Sequence, residues 1–340
     1  MTLKIQKYFL ILYAITLFVF LPMAVVFASP EKIFYLAKYN AEAGIASINK
    51  NWQKIDILAP QMYTVVFSNN SAKITGGFGP KLKKAIKDHK LKVMPLVANS
   101  NFSQSLMHKL LLSDYEQNRV IAGLIYLAKR DKYIGWQFDF ENINYQDGDL
   151  YSAFVEKASK SFKKNNLVLS VAAIARSVDY EDTNAFKNWG GVYDYKRLSE
   201  SADFISLMAY DDPNSLGPVA SINFVNKKLN YVKDKIPPEK LSLGVPLYYW
   251  KWNADTKKRV GSGFFNNVLA IASNYLHTIS FDESLGVSSL SYSYNNKNYR
   301  VWFEDKKSFE VKLNIIKENN LRGFSAWLLG GEDPEIWNSL

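Results

Sequence analysis

Short apolar runs alternate with amphipathic, lysine-rich segments along the chain after residue 30, and this alternation constrains the fold most. The runs have the length of buried strands, whereas segments such as 115–131 and 150–165 have the periodicity of helices. Eight such units favour a closed α/β barrel, the (β/α)8 or TIM barrel, over an open doubly wound sheet. The predicted strands are 33–38, 55–63, 91–99, 133–140, 167–175, 203–210, 241–249 and 323–330.

One connection is too long to be a simple loop, and it lies between the seventh predicted strand and the last predicted helix. Residues 264–276 have a helical pattern, and the aromatic-rich residues 288–303 alternate around "YNNKNY", which is typical of a hairpin turn. We predict a small α+β insertion over about residues 251–302. Such an insertion on the barrel rim deepens the groove at the carboxyl ends of the strands.

The amino terminus has the pattern of an export segment. Lys4 and Lys7 precede an uncharged run from Tyr8 to Ala28, which ends in small residues that suit signal-peptide cleavage. The run is also just long enough to span a bilayer, and the preceding lysines would keep the amino terminus inside the cell. We therefore expect residues 1–30 to be a signal peptide or a membrane anchor. The barrel over residues 31–340 would then be exported: secreted, periplasmic or attached to the cell envelope.

The amino-acid composition argues against several kinds of catalytic site. The chain has no cysteine, and its three histidines are scattered, which argues against thiolate chemistry, a zinc site or a Ser-His-Asp triad. We expect no metal and no cofactor. The net charge of +10 comes from lysines on predicted helix faces and suits an anionic polymer. No nucleic-acid-binding module is visible, so we expect no nucleic-acid partner, and we expect a monomer.

The fourth predicted strand carries acidic residues on a face that should be buried. A period of two separates Trp136, Phe138 and Phe140 from Gln137, Asp139 and Glu141. In a barrel the polar set would point inward and rise toward the open mouth, with Glu141 highest. A buried carboxylate without a partner costs several kcal/mol, so either partners exist or one group holds a proton, as a general acid must. Alternatively, the two acids lie at a frayed strand end and cap a helix.

These residues resemble a family signature. Asp139 and Glu141 match the last two acids of D-x-x-D-x-D-x-E, the fourth-strand motif of family 18 glycoside hydrolases, whereas Ile134 and Gln137 replace the first and middle Asp. The stretch "GWQFDFENI" is most similar to the branch that cuts bacterial cell-wall glycan, including spore-cortex lytic enzymes. Four further segments resemble the family: "LMAYDD" (207–212), "LSLGVPLYY" (241–249), "VWFEDKKS" (301–308) and "LRGFSAWLLGGEDPEIW" (321–337).

The resemblance implies a retaining, substrate-assisted mechanism in which the sugar's own 2-acetamido oxygen attacks the anomeric carbon. It makes Glu141 the acid that protonates the leaving oxygen and later deprotonates water. Asp139 would accept the acetamido N–H, and Tyr210 would donate its hydroxyl to the acetamido oxygen. Asp211 would hold the acetamido group or a sugar hydroxyl, and Trp327 would stack beneath the reacting sugar.

Other residues are substrate-binding candidates by position. Gln137, which cannot take up the charge of the missing Asp, is expected to hydrogen-bond Asp139, and Asp139 is then expected to stay ionised. The strand ends supply the further groove candidates: Gln61, Tyr63, Asn99, Tyr249 and Trp250. Glu332 and Asp333 are expected to cap the final helix instead.

The functional expectation is an exported enzyme that cleaves β-1,4 bonds of N-acetylglucosamine-containing glycan, with peptidoglycan as substrate. The enzymatic alternative is a chitinase, since no cell-wall-binding repeat such as a lysin motif is visible. The alternative from another class is a catalytically inactive, chitinase-like glycan-binding protein. The presence of Glu141 favours an enzyme, whereas the loss of the first two motif acids favours the binding protein.

Overall fold

A closed barrel of eight parallel strands forms the body of the protein in the computed structural model, which describes residues 29–69 and 71–340. Each strand pairs with its neighbours in chain order, and pairing of the first strand with both the second and the last closes the barrel. The predicted TIM barrel is therefore confirmed. Its strands are β1 (Glu31–Ala37), β2 (Ile57–Ser68), β4 (Leu96–Asn99), β5 (Gly135–Asp139), β6 (Val168–Ile174), β7 (Phe204–Met208), β8 (Leu241–Pro246) and β14 (Gly323–Trp327).

Helices cover the outside of the barrel, and one further helix packs on the insertion described below. Side-chain and backbone hydrogen bonds cap the helix ends. The Ser113 side chain, for example, accepts the backbone N–H of Glu116 at the start of α4 (Asp114–Asp131), and the residue that ends this helix, Lys132, is in the left-handed region. The helices are α1 (Ala41–Asn51), α2 (Pro80–His89), α3 (Gln104–Leu112), α4 (Asp114–Asp131), α5 (Gly148–Lys163), α6 (Tyr195–Ser201), α7 (Ile222–Val232), α8 (Phe265–Asn274) and α9 (Lys306–Glu318).

β5 alternates between the two faces as predicted. Its aromatic side chains point outward: Trp136 donates its indole N–H to the carbonyl of Leu124 in α4, and Phe138 stacks on Phe154 of α5 with centroids 5.5 Å apart. Gln137 and Asp139 point into the barrel and are 0% and 3% exposed. The outward aromatics anchor the strand in the core, and this anchoring fixes the acids on the inner face.

β2 departs from a regular strand, and this departure changes which side chains reach the site. Its pairing with β4 shifts by one residue between Gln61 and Tyr63, which places a bulge at Met62. Beyond the bulge, β2 continues to Ser68 and turns back into β3 (Ser71–Gly76), an antiparallel strand absent from the predicted barrel. A bulge inserts one residue, so Gln61 and Tyr63 point to opposite faces of the sheet.

The structure places the α+β insertion between β8 and α9, where it was predicted. It runs from Tyr249 to Phe303 and forms a five-stranded antiparallel sheet with α8 packed on one face. The hairpin turn falls at Asn295 and Asn296, which both have positive φ, as a type I′ turn requires. Three strands go beyond the prediction, β9 (Tyr249–Asn253), β10 (Lys258–Gly263) and β11 (His277–Asp282), beside the predicted hairpin of β12 (Val287–Tyr294) and β13 (Lys297–Phe303).

The predicted export segment from Tyr8 to Ala28 lies outside the described residues. Within residues 29–69 and 71–340, no helix is long and apolar enough to cross a membrane.

Candidate active site

A cavity of about 180 Å³ opens at the carboxyl ends of the barrel strands. It brings together six of the predicted site residues, although they come from β2, from β5 and the segment after it, from the segment after β7 and from β14. The side chains around it include Tyr35, Gln61, Asp139, Glu141, Tyr210, Asp211 and Trp327. We call this space the strand-end cavity. Its walls combine acids, amide, phenols and indole, which is a lining that can both bind a sugar and act on it.

Asp139 lies at the bottom of the strand-end cavity with one amide partner. Gln61 donates from Nε2 to Oδ2 of Asp139 at 2.8 Å. Burial raises the pKa of Asp139 to about 6, and the hydrogen bond from Gln61 acts in the opposite direction. At neutral pH the carboxylate is therefore ionised but close to its titration range.

Glu141 is held through its backbone, which leaves its carboxyl available to the cavity. Asn99 donates from Nδ2 to the carbonyl of Glu141 at 2.9 Å and accepts its N–H at 3.0 Å. Burial, reinforced by the negative charges of Asp139 and Asp211, raises the pKa of Glu141 to about 8. Glu141 therefore carries a proton at neutral pH, as a general acid requires.

Gln137 does not make the contact predicted for it. Its carbonyl oxygen accepts from the Tyr35 hydroxyl at 2.7 Å, and its Nε2 donates to Ser170 at 2.8 Å. The expectation that Gln137 hydrogen-bonds Asp139 is therefore wrong, because Gln61 fills that role from β2. Gln137 instead belongs to a fully buried polar layer beneath the strand-end cavity.

Tyr210 and Asp211 follow β7 on a sharp turn. Asp211 has φ of 58° and accepts the Tyr248 hydroxyl at 2.6 Å; burial raises its pKa. Burial also raises the pKa of Tyr210, so its phenol keeps its proton and can donate it to a ligand oxygen. Gly244 makes room for this ring, because a Cβ there would lie 2.8 Å from Cε1 of Tyr210 and 2.5 Å from the carbonyl oxygen of Leu207.

Two larger clefts extend the strand-end cavity on either side. A cleft of about 990 Å³ continues past Trp327 to the insertion, where its wall includes Trp250, Trp252 and Arg259. The Arg259 guanidinium lies 4.4 Å from the centroid of the Trp250 ring. A second cleft of about 490 Å³ begins at Glu141 and continues along the loop after β6. The three spaces together can accommodate a chain of sugars with one residue in the strand-end cavity.

Three predicted groove residues lie elsewhere. Tyr63 points outward because of the bulge in β2, and its hydroxyl lies 2.8 Å from that of Tyr133 in the core. Tyr249 faces the core between the insertion sheet and α8 rather than the cleft. Asn99 lies behind Glu141 and bonds its backbone. The expectation that Tyr63, Tyr249 and Asn99 line the groove is therefore wrong.

The two acids after β14, Glu332 and Asp333, were both expected to cap the final helix, but only one of them does. Asp333 accepts the N–H of Glu335 and so caps the last short helical turn, as predicted. Glu332 accepts instead from Ser47 and from the indole of Trp337, which ties α1 to the carboxyl terminus of the described chain.

Two tyrosines that shape the site, Tyr35 and Tyr248, were not predicted from the sequence. Tyr35 lines the strand-end cavity from β1, and its hydroxyl lies 2.7 Å from both Gln137 and Ser206. Its inward position follows from alternation along β1, so the pattern could have revealed it. Tyr248 bonds Asp211 from the two-residue link between β8 and β9. No periodicity marks such a link, so its role depends on the tertiary fold.

A parallel barrel whose strand ends gather two neighbouring carboxyl groups, with burial favouring the protonated form of one, is typical of glycosidases. The chain belongs to glycosyl hydrolases family 18, whose sequence model matches residues 11–332, and it is a glycosidase. The family membership predicted from the motif around Asp139 and Glu141 is thereby confirmed.

Its relatives include bacterial spore enzymes. The uncharacterized glycosylase YvbX of Bacillus subtilis (strain 168) is 27% identical over 286 residues, which cover 82% of each chain. A cortical fragment-lytic enzyme of the same organism is 30% identical over 248 residues, 70% of this chain and 56% of that protein. This chain thus spans little more than half the length of that relative.

Solved structures share the fold. The spore cortex-lytic enzyme SleL of Bacillus megaterium QM B1551 superposes with a TM-score of 0.80 at 26% identity, over 91% of this chain and 73% of that one. A chitinase from Chromobacterium violaceum ATCC 12472 superposes with a TM-score of 0.78 at 22% identity, over 91% of this chain and 97% of that one.

Proposed function

We propose that this glycosidase hydrolyses β-1,4 bonds of N-acetylglucosamine-containing glycan, that its substrate is peptidoglycan, and that it acts outside the cytoplasm. The observation that carries the proposal is that Glu141 and Asp139 lie in one cavity with Trp327 in its wall. Burial and the neighbouring negative charges raise the pKa of Glu141, which favours the protonated form that a general acid needs. The similarity to a cortical fragment-lytic enzyme and to a spore cortex-lytic enzyme supports cell-wall glycan over chitin.

The proposed mechanism is retaining and assisted by the substrate. Glu141 donates its proton to the leaving oxygen while the acetamido oxygen of the bound sugar attacks the anomeric carbon and forms an oxazolinium ion. Asp139 accepts the acetamido N–H and stabilises the positive ring, and Tyr210 donates to the acetamido oxygen. Glu141, now ionised, takes a proton from water, which opens the oxazolinium ion with net retention. Asp211 holds a sugar hydroxyl or the acetamido group, and Trp327 stacks on the sugar.

The direct test compares the parent protein with Glu141→Gln on purified peptidoglycan and on chitin oligomers. Glutamine keeps the shape of the side chain but cannot donate a proton to the leaving oxygen. We expect the substitution to lower kcat by about 10²–10⁴-fold while binding persists, since general acid catalysis contributes on this scale. Analysis of the first product by NMR should show the β-anomer.

The same experiment separates the alternatives. Faster turnover of peptidoglycan than of chitin oligomers by the parent supports the proposal, and the reverse preference identifies a chitinase. Binding without turnover by both proteins identifies a glycan-binding protein and contradicts the proposed activity. An α-anomer as first product contradicts the retaining mechanism.

A further inference from the structure

The cleft of about 490 Å³ that begins at Glu141 lies on the side of the leaving group. Glu141, Tyr210 and Asp211 belong both to this cleft and to the strand-end cavity. Trp327 belongs to the strand-end cavity and to the insertion cleft instead. A general acid must touch the leaving oxygen, so the sugar that departs occupies the cleft on the Glu141 side. We call this space the leaving-side cleft.

Lys228 contributes a positive charge to the leaving-side cleft. It projects from α7 and is half-buried. Among the residues that the structure describes, no carboxylate lies within 4.0 Å of its Nζ, whose neighbours are the Ser177 hydroxyl at 3.4 Å and the Phe224 ring at 4.6 Å. Burial lowers the pKa of the Lys228 ammonium, while Asp212 acts in the opposite direction. A desolvated ammonium of this kind favours an anionic ligand.

The other cation of the leaving-side cleft is already engaged. Arg176 lies 3.1 Å from the Asp179 carboxylate, donates to the carbonyl of Gly190, and stacks against Tyr195 with its guanidinium carbon 4.8 Å from the ring centroid. It therefore supports the loop after β6 rather than offering a charge to a ligand. Among the described residues that line this cleft, Lys228 is the cation that remains available.

The rest of the leaving-side cleft is largely apolar. Its wall includes Ile174, Val178, Phe186, Trp189 and Phe224. A ligand that suits this space therefore carries one carboxylate next to methyl-bearing groups. The muramyl sugar of peptidoglycan has this chemistry: its lactyl ether ends in a carboxyl group that is either free or amide-linked to an alanine-containing peptide stem.

We propose that Lys228 selects the leaving sugar by pairing with a carboxylate of its muramyl substituent, so that N-acetylglucosamine occupies the strand-end cavity and a muramyl sugar occupies the leaving-side cleft. The inference rests on the proposed function and adds to it a residue that distinguishes peptidoglycan from chitin, whose sugars carry no anion. The carboxylate belongs either to the free lactyl group or to the peptide stem.

The test uses Lys228→Met, which keeps the length of the side chain but removes its charge. Lys227→Met is the matched control, since Lys227 is the neighbouring exposed lysine of α7 and lies outside the cleft. We expect the ratio of kcat/KM on muramyl glycan to kcat/KM on chitin tetramer to fall roughly tenfold in Lys228→Met, the scale of one charge-assisted contact. The ratio should be unchanged in Lys227→Met and largely retained in Lys228→Arg.

Two muramyl substrates identify the source of the carboxylate. Glycan stripped by an amidase exposes the lactyl carboxylate, and untreated glycan presents only stem carboxylates. A loss confined to one substrate assigns Lys228 to that group, and either assignment supports the proposal. An unchanged ratio on both, or an equal loss on muramyl glycan and chitin tetramer, overturns it.

A binding measurement tests the role of Lys228 independently of catalytic activity. In the Glu141→Gln background, Lys228→Met should raise the Kd for the same muramyl fragments roughly tenfold, measured by calorimetry, with a smaller change for chitin tetramer. Failure of the parent to turn over any glycan would contradict the proposed function alone. Equal Kd values with and without Lys228→Met would contradict the role of Lys228, whatever the activity.

Discussion

Two carboxyl groups with separated pKa values set the expected pH dependence of activity. The proposed mechanism needs Glu141 protonated and Asp139 ionised in the free enzyme. Since their pKa values are raised to about 8 and about 6, kcat/KM should rise as pH increases through about 6 and fall as it increases through about 8. A pH–rate profile on a soluble glycan checks this bell shape. Full activity retained at pH 10 would contradict the assignment of Glu141 as the acid.

Gln137→Asp tests whether Asp139 stays ionised in the parent. The new carboxyl would lie two residues before Asp139 on the inner face of β5, and two nearby carboxylates resist double ionisation. We expect the ascending limb of the profile to move to higher pH, because the pair would bind a proton more readily. An identical profile in parent and variant would show that the amide at position 137 has no bearing on the charge of Asp139.

The direction of a side chain in the site was predictable from the sequence where the alternation of side chains along a regular strand alone decides it. Asp139 and Glu141 could be placed because β5 is regular and its aromatic face is unambiguous. Tyr63 could not, since a single bulge at Met62 reverses the direction of every later side chain in β2, and nothing in the local sequence specifies that bulge. Asn99 was placed at the correct strand end, but whether it contacts ligand or backbone is decided by the neighbouring strand.

At the scale of elements, the barrel strands were predictable because each is a short apolar run between turn signals. The small sheet was harder. β10 and β11 are largely exposed, so their sequences carry little hydrophobic pattern to reveal them. The seventh predicted strand ran on to Tyr249, but β8 ends at Pro246 and Tyr249 already belongs to β9. This break explains why Trp250, and not Tyr249, faces the cleft.

A buried ion pair links the end of the insertion to α9. Lys312 and Glu304 are 0% and 5% exposed, and Nζ lies 2.7 and 2.9 Å from the two carboxylate oxygens. Lys312→Met should lower the free energy of unfolding by about 3–5 kcal/mol, because Glu304 would remain buried and unpaired. The double variant Lys312→Met, Glu304→Leu should recover most of this loss. Urea denaturation of the three proteins gives the values.

An exposed pair provides the matched control for this prediction. Lys307, on the same helix, pairs with Glu283 at 2.9 Å on the surface, so Lys307→Met should cost no more than about 1 kcal/mol. A comparable loss in Lys307→Met and Lys312→Met would show that burial does not determine the contribution of these pairs.

At the scale of the whole molecule, the charge of the chain suits the proposed polymer. The net charge is +10, and the surface lysines include exposed partners of single acids, such as Lys81 with Glu42 and Lys160 with Glu156. Surface pairs of this kind add little stability, so the excess positive charge acts chiefly through its long-range field. That field would raise the local concentration of an anionic glycan and leave a neutral one unaffected.

Salt should therefore distinguish the two candidate substrates. The Debye length falls from about 10 Å at 0.1 M to about 3 Å at 1 M, so kcat/KM on muramyl glycan should decline several-fold across this range. Chitin tetramer, being uncharged, should show little change in the same buffers and controls for direct effects of salt on the enzyme. Most of the decline should appear in KM, since screening weakens encounter and binding rather than the proposed proton transfer by Glu141. Equal salt dependence on both glycans would mean that the positive charge of this protein has no part in choosing its substrate.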